Sequence, residues 1–297
     1  MSEDLEFAFA LLVSGASIGL MYSLIALGFV LVYKATDAIN FAQGEFVMLA
    51  GMVVVVVLGA EAPLIAAIVA VLLVMIGFGF GLEKVVLRPL LGRPVVAVIM
   101  ATIGVAAVLR GWGPLVLGIE PRALPLPIGD EPITIGPATL PPIQVLGAVV
   151  ALGFFLAFNW FFKKARMGVA MRAVADNQQV AQAMGINVER YFALAWAMAG
   201  IVSALGGIVW GSMLGVDVQL ALVGLKVFPV VILGGLDSIG GALVGGLIIG
   251  IVESLAAGYL DPFVGGGTKD FAPYVLMILV LMVRPYGIFG RRQIERV

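Results

Sequence analysis

The chain has 297 residues, of which 62% are hydrophobic and 12% are charged, whereas an ordinary soluble domain carries about 25% charged residues. A soluble fold could not bury that much apolar surface, so the composition predicts a protein that lies in lipid. The net charge of −1 argues against a nucleic-acid partner. The chain contains no cysteine and no histidine, which excludes thiol chemistry, imidazole catalysis and Cys/His zinc sites. We expect no cofactor and no metal ion.

The chain starts with the acidic sequence MSEDLEF, unlike the basic start of a secretory signal. The apolar run behind it, 7–33, is too long for a signal sequence, so we expect it to remain as a transmembrane helix. A helix needs about 20 residues to cross the hydrocarbon core, and we expect half-depth or broken helices where a run is shorter or rich in glycine. The further apolar runs are 46–60, 62–82, 94–109, 143–162, 191–216, 227–236, 238–252 and 271–283.

These runs predict an all-α integral membrane protein. We expect one transmembrane domain over residues 1–297, a polytopic helical bundle of about 8–10 membrane segments with short broken or re-entrant helices.

The basic residues predict the orientation of the chain. Twelve of the 17 lie in the segments 83–94, 163–190 and the tail from Arg284, which includes Arg291, Arg292 and Arg296. By the positive-inside rule these segments are cytoplasmic, and the N-terminus and the loop 118–142 are external. That loop holds seven prolines, so it should be extended rather than helical.

Glycines four residues apart allow helices to approach closely in lipid. Simple helix packing is the plainest interpretation of each such pair. The pairs are Gly15 and Gly19, Gly77 and Gly81, Gly241 and Gly245, and Gly246 and Gly250.

The sequence LGGLDSIGGALVGGLIIG, residues 233–250, has seven glycines around one carboxylate, Asp237. Two Gly-Gly pairs, at 234–235 and 240–241, interrupt helical propensity twice. The pattern predicts a re-entrant turn between two half-helices. A glycine-rich phosphate cradle is excluded because the chain has no GxxxxGK[ST] motif.

Segment 163–190 is the only long cytoplasmic stretch, and it combines strong helix formers with small residues before a stop at Gly185. It is interpreted either as a solvated connector or as a helix that docks in a groove of another protein. Arg172 and Asp176 lie one helical turn apart, where they could pair with each other or with the partner. The small residues expected on the docking face are Ala173, Ala175, Ala181 and Ala183.

Three motifs, at 21–51, 166–211 and 230–255, together with the closing sequence at 281–290, resemble one family. The chain is similar to the shorter, LivH-like permease subunits of branched-chain amino-acid ABC importers over nearly its whole length. The resemblance implies a permease with no enzymatic activity of its own, in the inner membrane of a prokaryote. It implies as partners a second, longer permease, two ATP-binding subunits and an extracytoplasmic solute-binding protein.

The resemblance also implies that residues 173–185 form a degenerate ATPase-coupling loop. The residues expected to couple to the ATPase are Arg172, Asp176, Gln179, Ala183, Met184 and Gly185.

Polar side chains interrupt the apolar sequence at NFAQGEFVML, where Asn40, Gln43 and Glu45 stand among aliphatic neighbours. Polar residues at membrane depth usually face a bundle interior or a watery cavity, so Asn40–Gly44 could be a break between the first helix and the run 46–60 that exposes a helix N-terminus to the cargo. Alternatively, it is an interfacial turn in which Glu45 caps the next helix. The substrate-pathway candidates are Asn40, Gln43, Gly44, Glu45, Gly234, Gly235 and Asp237.

Other functions remain open at this point. An ion-driven secondary transporter would need a buried relay of charged residues, and an ungated channel would conduct without partners. Within the ABC class, urea and short amides are alternative cargoes. The candidates for a relay are Lys34, Asp37, Glu45, Arg110, Lys226 and Glu253.

Overall fold

The structure is a computed structural model that describes residues 3–90, 92–118, 120–129 and 131–290. The three tail arginines predicted to be cytoplasmic, Arg291, Arg292 and Arg296, lie outside the described residues.

The described part of the chain is almost entirely helical, which confirms the predicted fold class. The helices are α1 (Glu3–Thr36), α2 (Gln43–Gly59), α3 (Leu64–Leu82), α4 (Val95–Leu117), α5 (Pro142–Lys164), α6 (Arg166–Asp176), α7 (Gln178–Ala183), α8 (Val188–Leu214), α9 (Leu222–Gly234), α10 (Ile239–Tyr259), α11 (Asp261–Val264) and α12 (Thr268–Val283). A π-helical turn (Glu83–Leu87) and two 3-10 turns (Arg88–Leu90 and Val218–Ala221) complete them.

Six helical segments among the described residues are long and apolar enough to cross a membrane. Two shorter apolar helical segments, Gln43–Gly59 and Val218–Gly234, match the expectation that some elements are too short for a simple crossing. The six segments are Glu3–Thr36, Leu64–Leu90, Val95–Leu117, Pro142–Lys164, Val188–Leu214 and Ile239–Tyr259. The chain is therefore a multi-pass helical membrane protein.

The chain divides into two compact units. The first comprises residues 1–26, 127–153 and 225–297, and the second comprises 27–126 and 154–224.

In the second unit, α8 packs against both α2 and α3, and most of its residues are buried. Glycine allows this close packing, because a Cβ on Gly207 would lie 2.6 Å from the carbonyl oxygen of Val47 in α2. A Cβ on Gly79 of α3 would lie 2.7 Å from the carbonyl carbon of Trp196 in α8. The backbones of the three helices are thus nearly in contact.

In the first unit, the start of α1 packs against α10 through glycines on both helices. A Cβ on Gly15 would lie 2.7 Å from the carbonyl oxygen of Gly250, and a Cβ on Gly19 would lie 2.9 Å from the carbonyl carbon of Gly246. The other glycines of α10 that were named from the sequence meet α9. Gly241 approaches the backbone of Gly234, and Gly245 approaches the carbonyl oxygen of Val230.

Not every predicted glycine pair packs in this way. Gly77 and Gly81, both in α3, meet no other atom within 4 Å in the described part of the chain. The spacing alone could not distinguish these two glycines from the pairs that pack.

The glycine-rich region contains one break and not two. α9 ends at Gly234 and Gly235 has a φ of +102°, but Gly240 and Gly241 lie in the first turn of a continuous 21-residue α10. The predicted turn is present between α9 and α10, but α10 is a full-length helix and not a half-helix, because Ser238 caps it by accepting a hydrogen bond from the Gly241 N–H at 2.9 Å. The close approach of Gly241 to Gly234 also leaves no room for a side chain.

The proline-rich loop has no helix among its described residues before Pro142, as expected. It carries a short antiparallel pair of strands, β1 (Ile133–Ile135) and β2 (Ala138–Leu140), in which Ile133 pairs with Leu140. Gly136, with a φ of +61°, lies in the turn between the two strands.

Candidate functional site: the buried start of a short helix

The polar stretch lies where the chain passes from α1 to α2. Asp37 follows α1 with a φ of +55°, and partial burial raises the pKa of its carboxyl. The carbonyl oxygen of Asn40 accepts a hydrogen bond from the Gln43 N–H at 3.3 Å, and the Asn40 Oδ1 accepts one from the Ala42 N–H at 3.0 Å. These two bonds close a turn just before the helix.

The helix therefore begins earlier than predicted. The sequence placed a break over Asn40–Gly44, but Gln43, Gly44 and Glu45 form the first turn of α2. Because the turn at Asn40 satisfies backbone groups itself, no longer irregular segment is needed.

Gly44 fixes how closely this first turn approaches the 3-10 turn that follows α8. A Cβ on Gly44 would lie 3.1 Å from the carbonyl carbon of Ala221 and from the Cα of Gly224. The start of α2 is therefore held against a neighbouring backbone, where a side chain at Gly44 would not fit.

The amide side chains form a continuous chain of hydrogen bonds. Asn40 Nδ2 donates to Gln43 Oε1 at 3.1 Å, and Gln43 Nε2 donates to Ser203 Oγ of α8 at 2.9 Å. Ser203 Oγ in turn donates to the carbonyl oxygen of Ala199 at 2.8 Å. Asn40, Gln43 and Ser203 are each 0% exposed. A buried amide group needs such partners, so this network fixes the geometry of the α2 start.

This turn lies at depth within the bundle. The Phe41 N–H donates to Thr102 Oγ1 at 3.2 Å, and Thr102 lies seven residues into α4, which is about 10 Å along a helix axis. The linker between α1 and α2 therefore lies about two helical turns inside the bundle, measured from the N-terminal end of α4.

An ion pair lies farther along the same two helices. Arg110 of α4 donates to Glu45 Oε1 through Nε at 2.9 Å and through Nη2 as well. The Glu45 carboxylate is almost fully buried, whereas the Arg110 side chain is about half exposed.

This pair corrects the interpretation of Glu45 as a helix cap. The N-cap position of α2 is Ala42, and no side chain caps it. Glu45 is neutralised by Arg110 instead, because a buried carboxylate requires a charged partner.

The second predicted group, Gly234, Gly235 and Asp237, belongs to the other unit. It forms the turn between α9 and α10, in which Asp237 is half-buried. The N–H groups of Ile288 and Phe289 donate to the carbonyl oxygens of Leu233 and Gly234 at 2.8 and 3.2 Å. The closing motif of the chain thus satisfies the carbonyl groups at the end of α9.

The same unit contains a charged cluster on three helices. Lys226 Nζ of α9 lies 2.7 Å from the Asp270 carboxylate of α12 and 3.5 Å from that of Glu253 in α10. Glu253 Oε2 is buried without a hydrogen-bond partner among the described residues. Two relay candidates from the sequence, Lys226 and Glu253, therefore lie together.

The predicted coupling segment is two short helices, not one. Asn177 ends α6 and caps α7, since its Oδ1 accepts the Val180 N–H at 2.9 Å. Gly185, with a φ of +82°, ends the segment as predicted.

One residue that was predicted to dock on a partner protein, Ala181, lies instead on a buried surface. Ala181 is 3% exposed, because together with Met171 and Val174 it packs against its own chain and is not available to a partner. Arg172 donates to the Lys163 carbonyl oxygen at 3.4 Å and lies over the Phe162 ring. The other residues named for coupling are exposed: Asp176, Gln179, Ala183, Met184 and Gly185.

The sequence did not indicate that Thr102, Ser203 and Arg110 lie beside the start of α2, and Arg110 was named only as a candidate for a relay. Thr102 is the only threonine or serine of α4 and Ser203 is one of two serines in the apolar helix α8, so neither gave a distinctive signal. Arg110 and Glu45 each stand alone in an apolar run, and two opposite charges at membrane depth are a signal for pairing. The described residues contain no cluster of His, Cys, Asp or Glu that could hold a metal ion.

The fold and this site together define a class of protein. It is a multi-pass helical membrane protein in which a buried network of hydrogen-bonded polar side chains lies at the start of a short helix. The model of a family described as "Branched-chain amino acid transport system / permease component" matches residues 11–281. Because the match covers most of the chain, the protein belongs to this family of permeases, and it is a multi-pass protein of the prokaryotic inner membrane.

Individual relatives agree with the family. The chain is 31% identical to the high-affinity branched-chain amino acid transport system permease protein LivH of Escherichia coli (strain K12), over 100% of both chains. It is 32% identical to BraD of Pseudomonas aeruginosa, which has the same description, over 96% of this chain and 97% of that one. It is also 30% identical to the autoinducer 2 import system permease protein LsrC of Yersinia pestis, over 77% of this chain and 62% of LsrC.

Proposed function

We propose that this chain is the membrane-spanning subunit of an ABC importer that carries branched-chain amino acids into the cytoplasm. The observation that carries the proposal is the full-length similarity to LivH and BraD, both of which are named as branched-chain amino acid permeases. LsrC is named for a different cargo, autoinducer 2, and its similarity covers a smaller share of both chains.

The proposed complex contains a second, longer permease, two ATP-binding subunits and an extracytoplasmic solute-binding protein. One copy of this chain supplies one coupling segment, whereas a complex with two ATP-binding subunits needs two coupling segments. A second permease would supply the other.

The proposal is tested by reconstituting the complex in proteoliposomes. ATP-dependent uptake of leucine is expected with both permeases, and loss of at least tenfold in rate is expected when this chain replaces the second permease as a homodimer. Full uptake by the homodimer would contradict the heterodimer. Uptake that persists without ATP but stops with an uncoupler would favour a secondary transporter, and partner-free conductance would favour a channel.

We also propose that the polar stretch at the start of α2 lies along the cargo pathway, with the turn at Gly234, Gly235 and Asp237 as a further part. In support, Asn40, Gln43 and Glu45 are amide and carboxylate groups at depth, and the α2 N-terminus carries a partial positive charge. The ammonium and the carboxylate of a zwitterionic amino acid are complementary to these carboxylate and amide groups and to the helix N-terminus.

The exposed surface of α7 is the proposed contact with the ATPase. Val180 and Met184 are 58% and 78% exposed, although apolar residues of this size are usually buried in a helix. The surface is defined by Val180, Ala183, Met184 and Gly185, and it suits a groove in a partner protein.

Replacing Met184 with lysine should weaken ATPase binding by at least tenfold, because an apolar anchor at an interface contributes about 2 kcal/mol or more. The matched control is Gln182→Lys, which introduces a lysine two residues earlier, at an exposed position outside the proposed contact surface. Co-purification and uptake at matched expression are the measurements. Equal ATPase binding by both variants would assign the segment to the solvated-connector interpretation.

A further inference from the structure

An open groove of about 470 Å³ lies where the end of α3, the start of α6, the turn after α7 and the start of α8 come together. All of these elements belong to the second unit. The volume falls within the range of about 300–1,000 Å³ that is usual for ligand sites. Its walls include Phe80, Met167, Ile186, Arg190, Tyr191 and Leu194. We call this space the basic groove.

The basic groove lies at one end of two membrane-spanning segments, Leu64–Leu90 and Val188–Leu214. Arg190 is the third residue of α8, and Leu194 is the seventh, about 9 Å along the helix axis from its start. The interfacial layer on each side of a bilayer is only about 5–8 Å thick. The basic groove therefore extends from the level of the lipid headgroups to the beginning of the hydrocarbon.

The walls of the basic groove at its inner end are apolar and uncovered. The side chains of Phe80 and Met167 are 42% and 47% exposed, and those of Ile186 and Leu194 are half-buried. Apolar side chains of this size are stabilised by apolar neighbours. At this depth in a membrane, an acyl chain is the neighbour that is available.

The outer end of the basic groove carries an unpaired cation. Arg190 is exposed and forms no ion pair with any described residue. Its neighbour Glu189 is already neutralised, because Glu189 Oε2 lies 3.2 Å from Arg88 Nη1. The guanidinium of Arg190 is therefore available to an anion from outside the chain.

Uncharged donors accompany this guanidinium. The Asn187 Oδ1 accepts a hydrogen bond from the Arg190 N–H at 3.1 Å, and the Asn187 amide NH₂ group has no partner in the described part of the chain. The Tyr191 hydroxyl adds a further donor to the same lining. Arginine with neighbouring neutral donors suits the oxygens of a phosphate group.

The surroundings of the basic groove are also positive. Lys84 lies four residues beyond Phe80, and Arg166 directly precedes Met167, and both are exposed. An anion that approaches Arg190 from the membrane surface therefore meets a favourable field.

We propose that the basic groove binds an anionic phospholipid of the leaflet on this basic side of the membrane. The phosphate lies at Arg190, Asn187 and Tyr191, and one acyl chain lies on Phe80 and Leu194. Basic pockets between membrane helices on the cytoplasmic side suit anionic headgroups. A lipid fits better than a docked protein, because a subunit at the membrane surface does not reach the apolar end of the basic groove.

The bound lipid would border the proposed ATPase contact, since Gly185 belongs both to that surface and to the lining of the basic groove. Lipid binding itself requires neither the ATPase nor the cargo. The proposal therefore stands or falls independently of the proposed function.

Photolabelling of the full chain tests the proposal. The chain is placed in phosphatidylcholine nanodiscs that contain a trace of phosphatidylglycerol with a photoreactive acyl chain, and labelled peptides are identified by mass spectrometry. We expect the label on the peptides that contain Phe80 and Leu194. Arg190→Gln should lower this labelling about fivefold, the contribution of one basic residue near an anionic surface, and Arg190→Lys should retain most of it.

The matched control is Arg93→Gln, which removes the same charge at an exposed position outside the basic groove. This variant should be labelled like the unmodified chain. Equal labelling of Arg190→Gln and Arg93→Gln would overturn the proposal, because the lipid would then respond only to the general charge of this side of the protein.

Competition distinguishes a lipid from other ligands. Unlabelled phosphatidylglycerol should compete at least fivefold better than phosphatidylcholine, and glycerol phosphate, which has the charge without acyl chains, should not compete. Equal competition by the two lipids would reject a site for an anionic headgroup, and competition by glycerol phosphate would indicate a site for a free anion. If Arg190→Gln instead weakens co-purification of the ATP-binding subunits and leaves the labelling unchanged, the basic groove is a protein contact and the lipid proposal is wrong.

Discussion

Replacing Arg110 with alanine is expected to lower the free energy of unfolding by about 3 kcal/mol. The change leaves the Glu45 carboxylate buried without a charged partner, and breaking a buried pair in this way costs about 3–5 kcal/mol. The lower end of that range applies because the Arg110 side chain is itself about half exposed. Unfolding of the purified chain in mixed micelles, followed with increasing denaturing detergent, measures the change.

A double variant isolates the uncompensated charge as the cause. Glu45→Gln combined with Arg110→Met removes both charges, so most of the lost stability should return. Arg166→Ala, at an exposed position, should change stability by less than about 0.5 kcal/mol. If the double variant is as unstable as Arg110→Ala, the arginine stabilises the fold by packing and not by neutralising Glu45.

The all-helical fold class could be predicted from the sequence because few backbone structures are stable in lipid. A backbone in hydrocarbon must satisfy its own hydrogen bonds, so long apolar runs such as 62–82 and 191–216 become helices. The observed helices α3 and α8 cover these runs closely, with α8 beginning at Val188.

The partners within the site could not be predicted in the same way. Glu45 and Arg110 are 65 residues apart, and only the packing of α2 against α4 brings them together. Sequence spacing describes neighbours on one helix and says nothing about which helices are adjacent. The relation of Gln43 to Ser203, separated by 160 residues, has the same origin.

Local signals were incomplete where tertiary contacts override propensity. Gly240 and Gly241 are poor helix formers, yet the Ser238 cap and the packing against Gly234 keep them helical. In the coupling segment, the small size of Ala181 was taken as a sign of docking, whereas Ala181 is 3% exposed and is buried within its own chain, as are Met171 and Val174 on the preceding helix.

Glycine packing gives the other large effect, and the contrast between two glycines tests it. Gly19→Ala is expected to lower the free energy of unfolding by about 3 kcal/mol, the upper end for overpacking. The new Cβ would lie 2.9 Å from the carbonyl carbon of Gly246 and the Cα of Leu247, and closer still to the Gly246 oxygen. These are backbone atoms, so the strain is relieved only if α1 and α10 separate.

Gly77→Ala is the matched control, with the same added methyl group in the middle of another apolar helix. Gly77 meets no other described atom within 4 Å, so no overpacking is expected. Alanine is favoured over glycine in a helix interior by about 0.5–1 kcal/mol, so this variant should be slightly more stable than the unmodified chain. The same unfolding measurement in mixed micelles applies to both. Equal stability losses would mean that the two substitutions act through helix propensity or lipid exposure, and that close approach of α1 and α10 contributes nothing specific at Gly19.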